Sequence, residues 1–191
     1  MSASAHQLVE GRPIQSIHIG GVFADRRATV VRTVLGSCIA VCLRDPGAKT
    51  GGMNHFMLPS GADCVGCARY GVQAMELLIN ACMKAGADRR RLEAKVFGGG
   101  HVLKIRESDS NVPKSNIRFA LEFLATEQIP IVSKDVGGYA AREVYFFTDT
   151  GRTLLKRLTP TGIAEVEAEE REQLRQFSMP AADEDDNVTL F

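Results

Sequence analysis

The tightest constraint on how this chain can fold lies between Cys38 and Leu58. Two apolar runs, Cys38 to Arg44 (CIAVCLR) and Gly52 to Leu58 (GMNHFML), flank the turn chemistry of Asp45-Pro46-Gly47. Such a pattern folds as an antiparallel hairpin with a long loop. Placing Arg44 opposite Gly51 sets Cys38 opposite Met57, with His55 two residues back along the same strand. Side chains alternate faces with period two, so Cys38, Met57 and His55 share a face, and Cys38 and His55 become diagonal neighbours with backbones about 7–8 Å apart. A slip of one residue would put them on opposite faces. The register therefore decides whether a Cys/His pair exists at all.

A cysteine and a histidine on one face make an activated nucleophile. A free thiol has a pKa of about 8.5 and attacks carbonyl carbon only as thiolate; a histidine within reach takes its proton and returns it to the leaving amine. The reaction class implied is acyl transfer through a thioester. Gly36-Ser37 precedes the cysteine and Gly51-Gly52 precedes the histidine, marking sharp turns or close approaches of backbone. Backbone N–H groups of the Gly36-Ser37 turn, including that of Cys38, are placed to hold an oxyanion. A third polar group must orient the imidazole, and Thr33, Asn54 and Ser37 are the candidates. The competing reading of Cys38 is a small buried residue at a strand start. His101, after Gly98-Gly99-Gly100, is the rival base. Those glycines lack the continuation of a phosphate-binding loop, and are read as allowing backbone to approach the active site or a packed neighbour.

The rest of the chain reads as α+β. Strands are expected at 15–19, 28–34, 92–97, 129–136, 142–148 and 152–158, with His18 on the polar phase of the first, as a surface residue. Apolar spacing predicts a helix over 70–85 capped by Gly86, and a second over 117–127 capped by Ser115 or Asn116. Cys64-x-x-Cys67 falls in a polar loop, 60–69. It is half of a zinc site with no second pair at ligand spacing, so two incidental thiols are expected. Cys42 and Cys82 read as small core residues. Five cysteines and no export signal point to reduced thiols in the cytoplasm.

The length, 191 residues with 45% hydrophobic content, suits one domain, 1–164 with 1–13 peripheral, followed by a tail, 165–191, helical to Phe177 and then disordered. The tail holds nine acidic and two basic residues, a net −7, against 21 basic and 14 acidic before it, a net +7. A basic body favours acidic partners. Nucleic acid is not expected, because Arg89-Arg90-Arg91 sits in a turn without interleaved aromatics. No apolar run approaches the roughly 20 residues of a membrane span. The apolar end, Val188 to Phe191, is read as a frayed terminus.

LGSCIAVCLRDP followed by GGMNHFMLP resembles the signature of the CheD family of chemoreceptor glutamine deamidases, and the likeness continues through ARYGVQAMELLINA, VFGGG, NIRFALEFL and IPIVSKDVGGYAAREVYFFTDTGR. The resemblance implies a layered α/β/β sandwich like that of the cytotoxic necrotising factor deamidases. It implies hydrolysis of selected glutamine side chains on receptor cytoplasmic helices, with release of ammonia and no cofactor or metal. It makes Cys38 the nucleophile and His55 the general base. The family's third residue is a threonine on the strand before the cysteine; six residues before Cys38 stands Arg32, and Thr33, five before, is assigned the role. The resemblance also implies docking of a CheC-type phosphatase, and the chain is expected to work as a monomer. A non-catalytic module that engages such a phosphatase is the alternative reading.

Overall fold

The structure, a computed structural model, describes Val9, residues 11–58, 65–102 and 112–158, and, further on, Ala164, Val166, residues 168–173 and Arg175. The readings for residues 1–8, Cys64, the Cys67 side chain and residues 178–191 lie outside the described residues. In chain order the strands are β1 (Ile14–Ser16), β2 (Val22–Asp25), β3 (Val30–Leu35), β4 (Ile39–Asp45), β5 (Thr50–Asn54), β6 (Glu93–Gly98), β7 (Ile131–Val136), β8 (Arg142–Phe147) and β9 (Thr153–Arg157). The longer helices are α1 (Val65–Lys84) and α2 (Val112–Thr126). The class is mixed α+β, as expected. One sheet has the order β1-β3-β8-β9 and the other β2-β5-β4-β6-β7.

The hairpin forms in the register that the sequence implies: Cys42 faces Met53, Leu43 faces Gly52 and Arg44 faces Gly51, and a further bridge joins Ile39 to Phe56. Between Cys42–Met53 and Ile39–Phe56 the ladder opens. There the Asn54 side chain accepts the Val41 N–H at 3.0 Å and donates to the Ala74 carbonyl of α1 at 3.0 Å. Asp45 closes the loop, accepting from the Gly47 and Ala48 N–H groups and pairing with Arg91 at 2.7 Å. The Arg89–Arg91 run is a 3-10 turn whose guanidiniums pair with Glu127, Asp88 and Asp45.

Strand β4 divides the core by its alternation. Ile39, Val41 and Leu43 pack with Met75, Leu78, Ile79 and Cys82 of α1 and with Ala120 and Leu124 of α2. Cys38, Ala40 and Cys42 face the other sheet, against Val31 and Leu35 of β3 and Val144 and Phe146 of β8. Each large apolar side chain so buried contributes about 1.5–3 kcal/mol. The five-stranded sheet thus carries helices on one face and the four-stranded sheet on the other, and Cys38 lies in the seam between sheets. Cys42 and Cys82 are core residues, as their sequence context suggests.

Several elements depart from expectation at their ends. Helix α1 begins at Val65, so the expected loop 60–69 already contains its first turn. Its C-terminus is as predicted: Gly86 at φ +106 donates to Met83 O and Ala87 to Cys82 O, the paired bonds of a Schellman cap. Helix α2 starts at Val112 and includes Ser115 and Asn116 within it. Asn116 is buried, not a cap. Strand β2 is additional to those expected; Val22–Asp25 is short and only half-buried, so its period is faint. Val9 is buried beside Val30, Tyr145 and Phe147, which draws the chain's first described residue into the domain.

Candidate active site

Strand β3 places Val31, Thr33 and Leu35 on one face, and the first and last of these enter the core between the sheets. Thr33 follows them inward. Arg32, on the opposite phase, pairs with Glu143 at 2.5 Å. The position five residues before Cys38 therefore faces the inter-sheet space and the position six before does not.

Thr33 Oγ1 lies 2.8 Å from His55 Nδ1 and donates to the Ile17 carbonyl at 2.9 Å. With its one hydrogen given to Ile17, Oγ1 is an acceptor for Nδ1–H. That tautomer leaves Nε2 with a free lone pair, the atom a base needs. Nε2 is buried and has no hydrogen-bond partner among the described residues. Backbone fixes the ring's position from below: His55 N–H donates to Gly21 O at 3.0 Å and His55 O accepts from Gly20 N–H at 2.8 Å. By sequence Gly20-Gly21 is only a strand end; here the pair grips the His55 backbone. Burial, then His18 nearby, lowers the His55 pKa to about 3, so the imidazole is neutral.

Cys38 shares this face, as the register requires, and is fully buried. Burial raises its thiol well above the ordinary range, and the Glu170 and Glu169 carboxylates raise it further. Both groups of the pair are thus uncharged in this state. Ahead of Cys38 the backbone turns so that three consecutive N–H groups converge. Those of Gly36, Ser37 and Cys38 point at the Glu170 carboxylate at 3.2, 3.0 and 3.0 Å, and the Ser37 hydroxyl donates to it at 2.7 Å. Such a concavity of backbone donors binds anionic oxygen.

The triple glycine backs this turn. Gly99 N–H donates to Cys38 O and Gly100 N–H to Gly36 O, both at 2.7 Å. At Gly98, φ +115, a Cβ would stand 2.1 Å from Cys38 O. The close approach expected of these glycines is made to the Gly36–Cys38 turn itself. Asn116, only a possible cap by sequence, ties the two halves of the site: Nδ2 donates to Ser37 O at 2.9 Å and Oδ1 accepts from Leu58 N–H at 2.8 Å. Its only sequence signal is a polar residue on the apolar face of a helix.

Of the three candidates for the orienting group, Thr33 is the one that reaches His55. Asn54 is engaged by Val41 and Ala74, and Ser37 by Glu170. His101 lies half-exposed with its ring 6.0 Å from Tyr139, whereas His55 is buried on the Cys38 face; among the described residues neither ring is hydrogen-bonded to Cys38. His18 is exposed and contacts Glu169 at 3.2 Å. Among the described residues no group of three or more His, Cys, Asp and Glu is placed to hold a metal ion, and no helix is long and apolar enough to cross a membrane.

A family model described as CheD, chemotactic sensory transduction, matches residues 57–157. Its matched span starts just beyond His55. Curated relatives carry the name "Probable chemoreceptor glutamine deamidase CheD". The one from Stenotrophomonas maltophilia (strain K279a) is 52% identical over 143 residues, 74% of this chain and 72% of its own length. The Bordetella petrii relative is 51% identical over 149 residues, 76% and 66% of the two chains, and the Laribacter hongkongensis relative 44% over 180 residues, 90% and 84%. A solved structure, Neisseria meningitidis protein NMB0706, overlaps 70% of this chain and 65% of its own at 11% identity and a TM-score of 0.40, too loose a likeness to carry an argument.

Proposed function

The chain belongs to the CheD family, and on that premise we propose that it is a chemoreceptor glutamine deamidase with Cys38 as nucleophile, His55 as general base and Thr33 as the residue that orients the base. The observation that carries the assignment is the Thr33–His55 hydrogen bond, which leaves Nε2 unpartnered in the buried seam shared with Cys38. His55 Nε2 takes the Cys38 proton and the sulfur adds to the glutamine side-chain carbonyl. The oxyanion so formed is met by the N–H groups of Gly36, Ser37 and Cys38. His55 then returns the proton to the amide nitrogen, the C–N bond breaks, and ammonia leaves a thioester. Water, deprotonated by the same Nε2, attacks that thioester; the C–S bond breaks and yields glutamate and the free thiol. Each proton taken is handed on, so neutral imidazole is the competent starting form.

The substrate is a chemoreceptor, and we place the modified glutamines on its cytoplasmic helices and the enzyme in the cytoplasm. Helices on one face of the five-stranded sheet and a second sheet on the other support reading the fold as the α/β/β sandwich of the cytotoxic necrotising factor-type cysteine deamidases. Docking of a CheC-type phosphatase is a further expectation of the family resemblance, and the chain is expected to act as a monomer. The test is incubation with receptor cytoplasmic fragments and mass spectrometry of the product. Conversion of glutamine to glutamate is expected with the native chain and absent with Cys38→Ala; equal conversion by both would sink the mechanism.

A further inference from the structure

The oxygen-binding turn at Cys38 already holds a ligand, supplied by the chain itself. Glu170 lies on the C-terminal segment, helical at its described positions between Ala164 and Arg175, and its side chain is buried to 1% exposure. Its carboxylate takes all three N–H groups of the turn and the Ser37 hydroxyl. A side-chain carboxylate at this position is, group for group, what deamidation of a glutamine produces. The seat is shaped for it. A Cβ on Gly36 would stand 2.9 Å from both carboxylate oxygens and 2.6 Å from Val102 Cγ2, so only glycine admits the group.

Two further contacts hold the segment. Val166, one helical turn before Glu170, is buried, and Glu169 meets His18 at 3.2 Å. The segment belongs to the net −7 region, and the remainder of the chain is net +7, so long-range attraction favours the docked state. With Glu170 in place Cys38 has no exposed surface and His55 has 3%. A substrate cannot reach the sulfur while the carboxylate stays.

We propose that the C-terminal segment around Glu170 is a built-in occupant of the catalytic site, seated as the reaction product would be, which a receptor helix must displace to be deamidated. This rests on the deamidase reading for its product-like character, though not for the occupancy. The displacing segment is helical, with an apolar residue one turn before the reacting glutamine, where Val166 now stands.

Two variants of the full chain test it. In Glu170→Ala, alkylation of Cys38 by iodoacetamide, followed by peptide mass spectrometry, is expected to run about tenfold faster or more, the loss of a charge-assisted hydrogen-bond set being worth at least that factor. Cys42 and Cys82 are internal controls. Labelling of Cys38 at the native rate overturns the proposal, and so does a parallel rise at Cys42 and Cys82, which would mean general loosening. In Glu170→Gln the occupant becomes a substrate: Cys38 displaces ammonia from the introduced side-chain amide and water restores glutamate. The mass change of –NH2 to –OH is expected in the C-terminal peptide, and is expected to be absent in the Glu170→Gln, Cys38→Ala double variant. An introduced amide that persists in a Glu170→Gln chain able to deamidate receptor helices overturns the product-like pose. If receptor glutamines are untouched by the native chain while Glu170→Ala speeds labelling of Cys38, the occupancy stands and the deamidase reading fails.

Discussion

Thr33, in the four-stranded sheet, and His55, just past the end of β5 in the five-stranded one and 22 residues on in sequence, meet at 2.8 Å with the Thr33 hydroxyl hydrogen committed to the Ile17 carbonyl. The commitment makes Oγ1 an acceptor and so selects the imidazole tautomer with a free Nε2. Thr33→Val removes the acceptor while keeping shape. It is expected to lower kcat for glutamine hydrolysis about a hundredfold, since a misoriented base costs of that order, with KM little changed. Thr33→Ser, which keeps the hydroxyl, is expected to retain most activity. Steady-state kinetics on a receptor fragment separates the two; equal kcat values for Val and Ser would show that the hydroxyl does not orient the base.

Asn116 is expected to be intolerant of its closest isostere. Asn116→Asp keeps an acceptor for Leu58 N–H but sets a carboxylate oxygen against Ser37 O, where a donor now sits. Asn116→Leu leaves both backbone groups unpaired. Each buried group left without a partner costs about 1–3 kcal/mol, so urea midpoints of both variants should fall, with Asp at least as low as Leu. An unchanged midpoint for Asp would remove Asn116 from the support of the site.

Two glycines with positive φ should respond very differently to alanine. At Gly86, φ +106, a Cβ meets open space, so Gly86→Ala costs only the strain of the left-handed conformation, about 1–2 kcal/mol. At Gly98, φ +115, the Cβ would collide with Cys38 O, and Gly98→Ala should cost about 3 kcal/mol or more and abolish deamidation. Thermal denaturation and activity measured side by side would decide; comparable Tm losses would mean that the turn yields easily.

Acid should expose the hairpin clasp. The Arg91 guanidinium, with the N–H groups of Asp88, Ala48 and Gly47, holds the Asp45 carboxyl well below the usual carboxylate range. A folded pKa below the unfolded value of about 3.9 means that the stabilisation is complete above that pH and is lost as pH falls through the folded value. Asp45→Asn should therefore lower stability at pH 7 by about 2 kcal/mol, and the gap to the native chain should narrow steadily as the pH falls from about 4 to about 2. Urea titrations across that range test it. A gap independent of pH would assign the stabilisation to hydrogen bonding alone.

Much of the site is legible from Cys38 to Leu58 because a hairpin is local. Strand alternation and a turn at Asp45-Pro46-Gly47 are enough to place Cys38 and His55 on one face, and the register through Ile39–Phe56 is the one those residues imply. Helix α1 is equally readable from its apolar spacing and Gly86 cap, although its start is not, because Ser60, Gly61, Asp63 and Gly66 give that stretch the composition of a loop. The choice of Thr33 over Asn54 and Ser37 is open in the sequence, since all three stand near the pair along the chain. It depends on which face of β3 turns inward, which only the packing of one sheet on another decides. Asn116 and Glu170 lie far beyond Cys38 in the chain, and nothing local marks either as part of the site; they arrive there through helix packing and the return of the C-terminal segment. Sequence by itself thus determined that Cys38 and His55 share a face, because period and turn chemistry act over a few residues. Tertiary structure decided what orients that pair, what braces it and what now fills its oxygen-binding turn, because those contacts join elements whose patterns carry no information about one another.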